Sequence, residues 1–194
     1  MYKGYKHSIY SKQSSKVANI RVHAYIYRWA SGAIEGLLLA QKMQVSSLYC
    51  PDEVKQILEF ISSLHLVDSG KYPHESMLES VSFVQKKRNS FNENKSLVEY
   101  VKDDLPKELF KGYLAQAHYV LNKYDLETLQ SVYEYLLGVN SSMLESNVAV
   151  ISVFKAKGFE FQTVTILSDM ADLAKVIADY FIKTGQVSGK GEKF

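Results

Sequence analysis

The stretch Val150–Leu167, VISVFKAKGFEFQTVTIL, sets two runs of β-branched and aromatic residues on either side of Lys155-Ala156-Lys157-Gly158. Such runs favour extended backbone. Carried back to Asn147, the first run places Val148, Val150, Ser152 and Phe154 on one strand face, and the second places Phe161, Thr163 and Thr165 on one face. Gly158 can adopt positive φ at no steric cost, so a β-hairpin closed by a basic turn is the expected arrangement.

Upstream of this stretch the hydrophobic period is helical. From Val17 to Met43 the positions Ile20, Ala24, Trp29, Ala33, Leu37 and Ala40 recur at spacings of mostly three to five, which reads as one long helix. Within it Gly32 and Gly36 lie one turn apart and permit close approach of another backbone, so Tyr25, Trp29, Gly32 and Gly36 form a candidate partner-binding face; a tight crossing inside the domain is the plainer alternative. LYCPDEVKQILEFISSLHL starts a helix at Pro51, with Asp52 and Glu53 favouring the positive end of its dipole and Val54, Ile57, Leu58, Ile61 and Leu64 or Leu66 turned inward. PHESMLESVSFVQKKR carries Met77, Leu78, Val81 and Val84 inward, SLVEYVKDDL stops before Pro106, and PKELFKGYLAQAHYVLNKY reads as a longer helix. DLETLQSVYEYLLG starts on an Asp125 cap and stops at Gly138. The last pattern, DMADLAKVIADYF, has Leu173, Val176, Ile177 and Tyr180 on one side.

The expected fold is therefore mainly α, with five to seven helices, a two-stranded β element near the C-terminus and a closing helix. The expected organisation is a basic arm (1–16), a helical subdomain (17–91), a second helical subdomain with the hairpin (92–184) and a polar tail (185–194). With 194 residues and 46% hydrophobic content the chain can bury a sizeable core. Its net charge of +2 is unevenly spread, because Lys3, Lys6, Lys12, Lys16, Arg21 and Arg28 all precede the first acidic residue, Glu35. An acid-free start of this kind reads as a solvated arm, a transit segment or, with its interleaved tyrosines, a phosphate- and base-binding tract.

No apolar run reaches the roughly 18 residues that a membrane-spanning helix needs. The single cysteine, Cys50, excludes an internal disulfide, and a reducing, cytoplasmic setting is expected. Cys50 precedes Pro51 at a helix start, where a thiol can be activated, but its apolar neighbours Leu48, Tyr49 and Val54 point to a buried structural residue. GQVSGKGEKF falls one residue short of a phosphate-binding loop and has Gly191 where the hydroxyl belongs. His7, His23, His65, His74 and His118 show no metal-ligand spacing, and the carboxylate pairs Glu75/Glu79 and Asp103/Asp104 read as solvated surface. No catalytic, cofactor or metal set is expected.

Two resemblances follow from these motifs. Residues 150–167 resemble the segment of superfamily-one DNA helicases that runs strand, Thr-x-His-x-Ala-Lys-Gly-x-Glu-Phe, strand, with Lys155, Ala156, Lys157, Gly158, Glu160 and Phe161 matching and Ser152 and Phe154 standing at its threonine and histidine. That resemblance implies a position near a bound strand and a nucleotide. Phosphoryl transfer, however, requires a phosphate cradle and usually an arginine, and no arginine follows Arg88. Residues 25–91 are similar to the small helical immunity proteins that neutralise type VI secretion amidase effectors, with Gly32, Gly36, Cys50, Pro51, Val54 and Pro73 at the family's positions. Together these readings favour a non-enzymatic protein acting through a helical surface on another protein, an inhibitor or immunity-type factor, with a homo-oligomer also allowed. The alternative is a nucleic-acid-associated accessory protein using the N-terminal basic residues with Lys155 and Lys157.

Overall fold

The computed structural model describes residues 23–91, 94–139, 146–157, 159 and 161–170. The expected N-terminal arm, the closing helix and the C-terminal tail lie outside the described residues, and so does Gly158.

The expected hairpin is replaced by a parallel sheet. Strand β3 (Val148–Ser152) and strand β4 (Thr163–Ile166) are not neighbours, because β1 (His23–Tyr27) lies between them and pairs parallel with both. With the short β2 (Leu48–Tyr49) the order is β2-β3-β1-β4. The link from β3 to β4 thus joins strands that are not neighbours. The physical reason lies in burial: Val148, Ala149, Val150 and Ile151 are all buried, as in a strand covered on both faces, whereas a hairpin with one wet face would alternate.

The expected long helix from Val17 is also corrected. His23–Tyr27 is extended, and α1 begins only at Ala30 and runs to Lys42. Tyr25 and Tyr27 point into the core from one face of β1, while Ala24 and Ile26 take the other, a period of two that the helical count overlooked. Helix α1 lies directly on this sheet. A Cβ added to Gly36 would stand 3.1 Å from Leu167, 3.2 Å from Tyr25 and 3.3 Å from Val150, so the absence of a side chain there lets helix and strands meet.

Between β2 and β3 the chain builds a helical block: α2 (Asp52–Asp68), α3 (Leu78–Ser90), α4 (Leu97–Asp103), α5 (Gly112–Lys123) and α6 (Leu126–Gly138). The α2 stripe of Val54, Ile57, Leu58, Ile61 and Leu64 is buried as its spacing required. Helix α2 packs on α4, α5 and α6, and α5 and α6 pack on α1, so one cluster runs through both sides of the expected boundary near residue 92. Leu78 of α3 is exposed, because the helix turns Met77, Val81 and Val84 inward instead. The segment expected as one helix from Pro106 splits into a 3-10 turn at Lys107–Leu109 and α5, with Tyr113 partly exposed against the Phe60 ring and Leu114, Ala117 and Leu121 inside.

The helix starts are set by side chains. Asp125 accepts from Thr128 N–H at 2.7 Å, and Ser96 and Glu99 form a reciprocal capping box. Asp68 caps α4 across the fold by accepting from Leu97 N–H at 2.7 Å and Val98 N–H at 3.0 Å. The entry to α1 is tied down from beyond β4: one oxygen of Asp169, three residues past the strand, accepts from Arg28 N–H at 2.9 Å and Trp29 N–H at 2.7 Å. Gly32 makes room for it, since a Cβ there would lie 2.4 Å from the Asp169 carboxylate.

This junction yields a stability test. Gly32→Ala should expel the carboxylate and destabilise by about 1–2 kcal/mol, close to the effect of Asp169→Ala, which removes the acceptor outright. Because both substitutions break one interaction, the double variant should lose well under the sum of the two. Urea unfolding of the four proteins measures it, and full additivity would refute the coupling.

Candidate functional site

In an open parallel sheet the strand ends and the following loops gather at one edge. Four loops meet at the carboxyl edge here: Arg28-Trp29 after β1, Cys50-Pro51-Asp52-Glu53 after β2, Val153–Lys157 after β3 and Leu167-Ser168-Asp169 after β4. The pairing of Tyr27 with Ser152 brings the first and third side by side, and Val153 N–H donates to the Tyr27 carbonyl at 2.8 Å. Trp29 and Phe154 each lie two residues beyond that pair. Both are solvent-facing, at 58% and 72% exposure, although large aromatic rings are ordinarily buried. The Arg28 guanidinium stands 5.0 Å from the centre of the Trp29 ring.

The lysines of the crossover differ. The Lys155 ammonium donates to both carboxylate oxygens of Glu53, at 2.6 and 2.8 Å, which holds the Glu53 carboxyl below and the Lys155 ammonium above their usual ranges. Lys157 is exposed and makes no ion pair among the described residues. One oxygen of Asp169 accepts from backbone amides while the other is buried without a hydrogen-bond partner among the described residues, and Glu35 is engaged by Ser168 and, at 4.0 Å, by Lys123. The cations of the edge outside the Lys155–Glu53 pair are Arg28 and Lys157, and Asp52 and Asp169 bring negative charge to the same loops.

The remaining candidates fall elsewhere. Tyr25, Gly32 and Gly36 are interior, packed between α1 and the sheet, so of the candidate partner-binding face only Trp29 is at the surface. Lys3, Lys6, Lys12, Lys16 and Arg21 lie outside the described residues. His23 bridges Thr163 at 2.8 Å and Thr165 at 2.9 Å, and His118 contacts the Val101 carbonyl at 3.1 Å. Asp104 pairs with Lys95, and Glu75 and Glu79 are solvent-facing. Among the described residues no group of three His, Cys, Asp or Glu side chains could hold a metal ion, and no helix is long and apolar enough to cross a membrane.

Cys50 is 2% exposed, and burial pushes its thiol up from 9.0 to about 12, opposing the activation that a helix start could provide. Burial likewise raises the Tyr27 hydroxyl beside it. Sequence reasoning missed Glu53 and Asp169 as determinants of the edge, and it turned Trp29 inward. Glu53 carried no local signal of its role, because its partner Lys155 is 102 positions away. The exposure of Trp29 follows from its place before the first residue of α1, where helical periodicity does not apply.

No protein-family model matches the chain, and neither the curated proteins nor the solved structures contain a match.

The buried thiol gives a pH test. A group whose pKa rises on folding contributes stability below its unfolded value and loses it as pH climbs toward the folded one. The Cys50 contribution should thus be complete below about pH 9 and decline toward pH 12. Iodoacetamide at pH 8 should label the native protein at least ten-fold more slowly than the urea-unfolded chain. Equal labelling rates would show an accessible thiol.

Proposed function

We propose that the chain is a non-enzymatic, nucleic-acid-associated module whose contact surface is the carboxyl edge of the parallel sheet. The observation that carries this reading is the exposure of Trp29 and Phe154 two residues past the paired ends of adjacent strands, with Arg28 against the Trp29 ring and Lys157 in the link after β3. Exposed aromatic faces interleaved with cations are the chemistry that grips a sugar-phosphate chain and its bases. The parallel strand–loop–strand arrangement around Lys155-Ala156-Lys157 also supports the helicase-like reading of that segment, with the loop at the edge where open α/β sheets take ligands. No step of bond making is assigned, and the site acts by contact.

Engagement of a protein through a helical surface is the second reading. It draws support from the exposed Trp29 ring and loses support from the burial of Tyr25, Gly32 and Gly36.

Salt dependence separates the two. With a few phosphate contacts, affinity for an oligonucleotide should fall as a power of salt concentration between about 50 and 200 mM, each contact adding roughly 0.7–0.9 to the slope. Lys157→Ala should lower both affinity and slope. Lys155→Ala should do less, because Glu53 already occupies its ammonium, and Glu53→Gln should tighten binding by releasing it. Fluorescence anisotropy of a labelled oligonucleotide reads all four proteins. Absence of binding at low salt by the intact chain would remove the nucleic-acid reading in favour of the protein-partner one.

A further inference from the structure

We infer that Trp29 is a stacking platform for an unpaired base, so that the carboxyl edge discriminates single-stranded from duplex nucleic acid. The inference rests on the nucleic-acid reading above and adds to it the form of the ligand. Among the described residues the Trp29 indole has no packing or capping role that would account for its position. It precedes α1 as the capping residue but makes no side-chain cap bond, since an indole carries only a donor and cannot accept from the amides of the first turn. It lies outside the hydrophobic core cluster, and more than half of its surface meets solvent.

Its neighbours prepare it for a second ring. The Arg28 guanidinium at 5.0 Å is the kind of partner that holds an indole in place and supplies a cation beside a stacked base. The backbone amides of Arg28 and Trp29 are tied to Asp169, so the segment carrying the ring is anchored at two successive residues. Phe154 offers a second exposed ring, two residues past the Tyr27–Ser152 pair on a strand about 4.8 Å away. Two such rings at one edge suit consecutive splayed bases. A duplex keeps its base faces stacked on one another and would have to give up that stacking to use them.

The chain contains one tryptophan, so its emission reports on this residue alone. Trp29 emission and the anisotropy of a fluorescein label would be followed while the intact chain is mixed with a 12-residue oligodeoxythymidylate or with a blunt DNA hairpin duplex of equal charge. The single strand should quench Trp29 and bind about ten-fold more tightly than the duplex. Trp29→Ala should remove about ten-fold or more of the single-strand affinity while leaving duplex affinity and thermal unfolding unchanged, and Trp29→Phe should restore most of it. Lys157→Ala should weaken both ligands together. Equal binding of both forms with unchanged Trp29 emission would overturn the stacking role and leave nucleic-acid association standing. Absence of binding to either form at low salt would overturn both.

Discussion

The insertion of β1 between β3 and β4 is the constraint on which the rest of the molecule depends. His23 through Tyr27 supply both neighbours with parallel partners, and this pairing converts the Lys155-Ala156-Lys157 segment from a turn into a crossover. It also brings the ends of β1 and β3 together, so that Arg28, Trp29 and Phe154 emerge from one edge. Helix α1 can lie on those strands because Gly36 has no side chain to hold it away. Asp169 then closes the arrangement by joining the exit of β4 to the entrance of α1. Sheet, helix and edge chemistry are thus consequences of one pairing choice.

The electrostatics of the edge follow a similar logic of prior commitment. A carboxylate at the start of α1 neutralises backbone amides that would otherwise attract an anion, and Glu53 pairs with Lys155 at the start of α2. An exposed ion pair of this kind contributes little to stability, and its importance is that one of two crossover lysines is already engaged. What remains available is a guanidinium beside an indole, a lysine without an ion pair among the described residues and two aromatic rings. In the proposed function the aromatic rings would supply stacking surface and the cations orientation.

Much of the helical part was legible in the sequence because its determinants are local. Pro51 with Asp52 and Glu53, Ser96 with Glu99, and Asp125 with Thr128 lie within one turn of the helices they start, and the Val54 stripe repeats within a single element. The sheet was not legible, for the opposite reason. His23 finds Thr163 at a separation of 140 positions, and nothing near either residue announces the other. A glycine after a strand is equally at home in a hairpin and in a crossover, so VISVFKAKGFEFQTVTIL was read with the right strands and the wrong connection. Ala24 and Trp29 fell at helical spacing by coincidence, which extended α1 backwards over β1. Of the edge, Lys157 and Arg28 were visible as isolated cations, but their assembly with Phe154 depends on tertiary pairing.

The helical block between β2 and β3 has a consequence for how the chain acquires its shape. The contacts of α2 with α4, α5 and α6 stay within residues 52–138, whereas the β1–β3 ladder joins residues on either side of that block. Loop closure over such a distance is entropically unfavourable unless the intervening segment has already condensed and shortened the span. The helices therefore act as a splint during folding as well as a core afterwards. The carboxyl edge, built where segments distant in sequence meet, should be the region to open first when the native state fluctuates.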